Sequence, residues 1–321
     1  MRARITLLLF AILYSFTCLA QTNFEKHFTK KSLRIDFALS GNWDFQAAAI
    51  QQLREEPVWA GPVKNLIDPF GYGGYYINVY DKAGKELIYS RGFNTLFEEW
   101  RSTEQAKTET QSWTNSISIP YPKAPVIIEI TARDKADMQF HPLLKQEIDP
   151  ASIFIDRGKL KENRITKIQY NGDSSGKVDL VFLAEGYTAD EQEKFVADAK
   201  RFTEALFKTP PYDTRREDFN VWAVDAVSEE SGTDASGKGI FKNTALNSGY
   251  YTFGVDRYLT TPDMKSIRDA VWNAPCDAIF ILVNTDAYGG GGMYNFYADP
   301  GNNPLTTPTG LQEYSSTDIE K

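Results

Sequence analysis

Three short apolar runs, residues 178–184, 219–227 and 278–283, are separated by stretches whose apolar residues recur at helical spacing. Strands alternating with helices specify a layered α/β domain, and that pattern constrains the second half of the chain more than any other feature. The first run closes on Glu185-Gly186, and Thr188-Ala-Asp-Glu191 follows with the spacing of a capping box. Phe195, Ala199, Phe202 and Leu206 then give one apolar helical face, which Pro210-Pro211 stops. A second helix is predicted from Thr261-Pro-Asp, with Pro262 at its first position and Met264, Ile267 and Val271 on one face. Asn273-Ala-Pro275 closes it.

The third run, Ala278-Ile-Phe-Ile-Leu-Val283, reads as a strand buried on both faces. Asn284-Thr-Asp-Ala leads from it to Gly289, Gly290, Gly291 and Gly292 and then to Met293-Tyr-Asn-Phe-Tyr297. A strand, a glycine turn and a second short strand describe a sheet edge presented outward. Glycines in such number are used where Cβ atoms would clash or φ must be positive, by close approach of a ligand backbone or by a plain tight turn.

From Ser32 to about Pro150 the pattern is one of short strands and turns. Tyr75-Tyr-Ile-Asn-Val-Tyr80 and Lys85-Glu-Leu-Ile-Tyr-Ser90 flank Asp81-Lys-Ala-Gly84, which predicts a hairpin. Ser116-Ile-Ser-Ile119 and Val126-Ile-Ile-Glu-Ile-Thr131 read as further strands, and Pro120, Pro122 and Pro125 rule out a continuous helix. A small β-sandwich accounts for this segment. Its aromatics Trp43, Trp59, Phe70, Tyr72, Trp100 and Trp113 are expected in the sandwich core rather than in a ligand groove. Asp149-Pro150 marks the expected boundary to the α/β domain.

The first twenty residues read as a targeting segment. Arg2 and Arg4 precede an apolar stretch over residues 5–16, and Cys18-Leu-Ala20 offers a small residue at the cut before Gln21. The expectation is export, to the periplasm, cell surface or medium, with no membrane span in the mature chain. Cys276 is then the remaining thiol, so no intramolecular disulfide forms, and a place before a strand suits a packed residue better than a nucleophile. A net charge of -8 with no basic stripe argues against a nucleic-acid partner.

Several chemistries are excluded by count. The two histidines, His27 and His141, fall outside the α/β half, and no HExxH or CxxC spacing occurs. The acidic loop Ser228-Glu-Glu-Ser-Gly-Thr-Asp234 lacks the spacing of an EF-hand and reads as a solvated loop. No Lys-Ser or Lys-Thr follows the glycine run, so a phosphate cradle is not indicated.

Taken in order, Asn65-Leu-Ile-Asp-Pro-Phe70, Tyr89-Ser-Arg-Gly92, Thr95-Leu-Phe97 with Glu99-Trp100, Leu183-Ala-Glu-Gly-Tyr-Thr188, Ser231-Gly-Thr-Asp234 and Asn284-Thr-Asp-Ala-Tyr-Gly-Gly-Gly-Gly-Met-Tyr-Asn295 resemble family sixty-four of the metallopeptidases, the IgA-peptidase type. The resemblance runs from about Phe24 to Tyr297. It implies an exported protein with an N-terminal β-domain, a zinc-protease domain and a protein or peptide substrate. It also implies that a helix bearing HExGH follows the glycine motif, its two histidines holding Zn²⁺ and its Glu taking a proton from the metal-bound water. An edge strand before that helix would hold the substrate main chain by strand addition, which assigns Gly290, Gly291, Gly292, Met293 and Tyr294 to substrate binding.

The residues after Tyr297 depart from this pattern: they are rich in Pro, Gly, Asn and Thr and contain no histidine. No zinc ligand of the family maps onto this sequence, so no cofactor is expected in this chain although zinc is expected in the full-length family. The sequence therefore predicts an α+β protein: a signal peptide over 1–20, an all-β sandwich-like domain over 21–150, an incomplete three-layer α/β zinc-peptidase-like domain over 151–297, and a divergent, disordered tail over 298–321. It is read as a truncated or frame-disrupted member that does not hydrolyse peptides. The alternative is a secreted, non-catalytic binding protein derived from the family.

Overall fold

The computed structural model describes residues 22–292. The expected targeting segment, the tail, Met293 and Tyr294 all lie outside the described residues. The N-terminal part opens with a short helix, α1 (Phe24–His27), and contains eight strands: β1 (Phe28–Gly41), β2 (Gln46–Glu56), β3 (Tyr75–Asp81), β4 (Leu87–Phe93), β5 (Gln111–Pro122), β6 (Val126–Arg133), β7 (Phe140–Ile148) and β8 (Ile155–Asp156). Helix α2 (Leu96–Trp100) lies between β4 and β5. Two four-stranded sheets form, in the orders β5-β1-β2-β8 and β4-β3-β6-β7. They share one core of Leu33, Ile35, Phe37 and Leu39 from β1 with Ile77, Val79, Ile128 and Ile130 from the other sheet. The expected sandwich is present.

The hairpin predicted at residues 75–90 is β3 and β4, with Asp81 accepting from the Ala83 and Gly84 N–H groups to close the loop. Pro120 and Pro122 sit in β5, an edge strand, where a missing N–H costs the ladder little. The aromatics divide. Trp59 and Trp100 are core residues, whereas Trp43, Phe70 and Tyr72 are exposed and Trp113 is half-buried. Composition could not separate Trp43, Trp59, Phe70 and Tyr72, because an aromatic on a loop between strands has no face assigned by strand alternation.

Strand β1 alternates, yet both of its faces are buried from Ser32 to Phe37. The apolar residues face the sandwich core. Ser32, Arg34 and Asp36 sit between them on the polar side, and the Arg34 guanidinium ion-pairs with Asp269 of the second half at 2.7 Å. The N-terminal sheet keeps hold of the chain past Pro150, since β8 pairs in parallel with β2 at Leu53 and Arg54.

The second half contains β9 (Ile165–Gln169), β10 (Val178–Glu185), α3 (Gln192–Leu206), β11 (Phe219–Val224), α4 (Met264–Ala270) and β12 (Ala278–Val283). The sheet order is β12-β10-β11-β9, with β9 antiparallel and the rest parallel. Leu180, Phe182 and Ala184 of β10 pack under Phe195, Ala199 and Phe202 of α3. Val181 and Leu183 pack on the other face with Ile267, Ala270 and Val271 of α4 and the turn after it. The three-layer arrangement follows from that period-two split. Two predicted details change. Asp263, not Thr261, caps α4, accepting from the Ser266 N–H at 3.0 Å, so Pro262 lies before the helix. Strand β12 is not buried on both faces: among the described residues it lies at a sheet edge, Leu282 is its one buried residue, and Phe280 is 48% exposed.

Candidate functional site

The chain leaves β10 toward β11 on one side and returns to β12 on the other. The strand order therefore reverses at β10, and crevices for ligands form outside the carboxyl ends of strands at such a point. Three of the sequence motifs meet there. Glu185 ends β10 fully buried, and its carboxylate accepts from the Thr244 hydroxyl at 2.6 Å and from the N–H groups of Leu246 and Ser248 at 2.8 and 2.9 Å. One side chain thus fixes the loop that carries the outer part of the site. Gly186 follows with φ of 70°, and a Cβ there would lie 1.9 Å from the Gly232 carbonyl oxygen, so glycine is required for this close crossing.

The capping box forms as expected, with Glu191 accepting from the Thr188 N–H and hydroxyl at 2.9 and 3.0 Å. Its other oxygen accepts from Ser231 at 2.9 Å and from the Asn284 amide at 3.1 Å. Asn284 also donates to the Gly186 carbonyl at 3.1 Å and to the Ser231 hydroxyl at 3.0 Å, and accepts from Lys194 at 2.9 Å. These donors, the Thr188 N–H foremost, hold the Glu191 carboxyl below its ordinary range. The loop expected to be solvated is partly ordered: Ser228 and Thr233 are buried, and the Ser228 hydroxyl accepts from the Gly186 and Ala245 N–H groups, both at 3.0 Å.

Outside this knot, single backbone bridges pass pairing outward from Asp234 to Gly249 and from Gly249 to Thr260, and Tyr258 pairs with Gly290. Gly290 donates to the Arg257 carbonyl at 3.0 Å, and its own carbonyl accepts from the Leu259 N–H at 3.3 Å. Among the described residues the glycine run is therefore the outermost rung of an irregular ladder. Part of the reason for the glycines is internal packing. A Cβ on Gly289 would lie 2.3 Å from the Tyr250 ring, and one on Gly291 2.4 Å from the Tyr258 ring, while neither residue has positive φ. Close approach to residues 250–260 of the same chain, rather than a ligand or a tight turn, accounts for these two. Gly290 and Gly292 are half-buried and Gly291 is exposed.

The N-terminal domain reaches this ladder. Thr95 caps α2 by accepting from the Glu98 N–H at 3.1 Å, and Glu99 on that helix accepts from the Tyr258 hydroxyl at 2.5 Å. Below it, sheet and helix are joined by buried charge. Arg34 donates to both oxygens of Asp36 at 2.7 and 2.8 Å and ion-pairs with Asp269, while Arg268 donates to Ser118 at 2.6 Å and faces Glu56 at 3.5 Å. Cys276 is half-buried beside a 150 Å³ cavity at this junction, and burial pushes its thiol up to about 12, which suits the packed role expected of it.

A β-sandwich tied to an α/β sheet, with a backbone ladder at the carboxyl end of its central strand, defines the class as an α+β protein in which a β domain precedes an α/β domain. Family comparisons agree with that class: residues 23–143 match the family described as Peptidase M64 N-terminus, and residues 166–307 match IgA Peptidase M64. The chain belongs to peptidase family M64. No curated protein matches it.

The metallopeptidase class implies zinc. The two histidines do not converge: His27 ends α1, and His141 is an exposed residue of β7 bonded to Asp137 at 2.8 Å. Among the described residues no group of three or more His, Cys, Asp or Glu could hold a metal ion. These residues do not fit a zinc site. Among them, too, no helix is long and apolar enough to cross a membrane.

Proposed function

We propose that the chain is an exported member of a zinc-dependent peptidase family whose residues 22–292 hold a protein or peptide substrate, and that the 321 residues by themselves do not cleave it. The carrying observation is the glycine rung: Gly290 is paired with Tyr258, and its neighbour Gly291 is exposed, so the chain continues from a paired position to one open to solvent. An extended peptide can add there as a strand, its main chain held by backbone hydrogen bonds. Hydrolysis in the family relies on zinc making a bound water acidic enough to attack a carbonyl, and this sequence, with His27 and His141 as its histidines, contains no HExxH to hold the metal.

The test is to incubate the purified chain with a panel of peptides, with and without added zinc. Peptide binding without cleavage is expected; cleavage that a chelator abolishes would overturn the second half of the proposal. The second reading, a secreted protein that binds without any catalytic counterpart, rests on the same rung. Sequencing the gene from the codon for Tyr294 onward separates the two: an HExGH codon series in any frame supports the peptidase, and its absence over several hundred bases supports the binding protein.

A further inference from the structure

Between the two domains, beside the glycine rung, lies an open groove of about 640 Å³. Trp100 and Trp113 line it from the N-terminal domain, and Tyr251, Phe253 and Thr260 from the second half. We propose that this groove is the subsite for a bulky apolar side chain of the bound peptide, so that the β-sandwich domain sets sequence preference. The proposal rests on the peptide-holding role given to the rung, and it names the feature of the substrate that the same site selects.

Three observations carry it. First, groove and rung share a wall. Thr260 lines the groove, and its methyl carbon lies 2.8 Å from where a Cβ on Gly291 would stand. A strand that advances about 3.3 Å per residue along the rung comes within side-chain reach of the groove in a residue or two. Second, Tyr251 and Phe253 both hold positive φ, 71° and 54°, a region that bulky residues occupy at a cost of about 1–3 kcal/mol each. That strained turn sets the Phe253 ring 6.2 Å from Trp113 across the domain junction and 5.9 Å from Tyr258. The Thr252 and Thr260 hydroxyls are bonded to each other at 2.7 Å, and the rings make up the apolar part of this wall.

Third, the motif of residues 95–100, which the α/β fold by itself leaves without a role, is placed here. Its Glu99 holds the Tyr258 hydroxyl, and its Trp100, buried in the sandwich core, backs the groove behind Trp113 and Phe253. The motif thus couples the sandwich to the residue that pairs with Gly290. Aromatic rings on two sides with few charges favour an aromatic or large aliphatic side chain; Glu104 at the rim disfavours an acidic one.

The experiment uses the full chain and four fluorescein-labelled octapeptides of alternating Thr and Val, each with Trp, Leu, Ala or Asp at one central position. Fluorescence anisotropy should give at least about tenfold tighter binding for the Trp and Leu peptides than for the Ala and Asp peptides. Trp113→Ala and Phe253→Gly should erase that difference while leaving the Ala peptide as it was. The second variant relieves positive φ as it removes a ring, so it keeps the test sound if the first destabilises the sandwich. Equal binding of all four peptides, or a preference that survives both variants, would overturn the subsite and leave the rung intact. Binding of none would remove the rung and the subsite together.

Discussion

Strands β10 and β12 lie side by side in one sheet and read alike as apolar runs, yet they live in different environments. From Asp179 to Glu185, β10 is buried at every position; β12 is half-buried, with Phe280 turned outward. The difference lies in topology. β10 has a neighbour on each side and a helix on each face, whereas β12 has β10 alone as a strand neighbour among the described residues. An apolar run reports that a strand can be buried, and its place in the sheet decides how far it is.

That contrast can be broken by two phenylalanines on neighbouring strands, whose rings lie 5.9 Å apart. Phe182→Ala should cost about 3–5 kcal/mol in urea unfolding, because the ring is buried between β10 and α3. Phe280→Ala should cost less than about 1 kcal/mol. Equal costs would mean that β12 is covered as fully as β10.

The polar residues that end the two strands give the next effect. Glu185→Ala leaves the Leu246 and Ser248 N–H groups without their acceptor and should cost about 3 kcal/mol, together with peptide binding at the rung. Asn284→Ala removes bonds from a half-buried amide and should cost about 1 kcal/mol. Hydrogen exchange of the 244–248 amides would separate the cases, rising sharply in the first variant only.

The smallest effect concerns pH and the N-terminal counterpart of this knot. Burial pushes the Glu98 carboxyl up to about 7, although Lys135, Arg101 and Arg133 work against it, while Glu99 adds to it. Burial likewise pushes Asp277, beside Asp179 and Arg91, up to about 6. A carboxyl with a raised folded-state pKa binds its proton more tightly when folded. Its contribution is full below the unfolded value near 4 and is lost as pH rises through the folded value. Stability should therefore decline between about pH 4 and 7, and Glu98→Gln should flatten that decline and raise the melting temperature at pH 8 by a few degrees. A profile unchanged by the variant would show that Glu98 is ionised in the fold at ordinary cost.

Much of this was legible in the chain. The helix face of Phe195, Ala199 and Phe202, the capping box at Thr188 and the hairpin around Asp81 are local patterns, each fixed by residues within a few positions. The glycine run was visible as a feature, but the reason for Gly289 and Gly291 was not, since Tyr250 and Tyr258 lie far back along the chain. Glu185 and Asp36 were missed as organising residues. The available signal was a charged residue inside or closing a buried run, which needs partners when it loses water.

The sequence alone determined the two-domain order, the strand and helix types and the family, because periodicity, turn residues and motif order are written along the chain. Tertiary structure decided which apolar strand became an edge, which face of β1 met α4, and that residues 95–100 stand beside residues 251–260. Those outcomes depend on burial and on pairing between segments distant in sequence. The free energy of such contacts belongs to neither segment until both are in place.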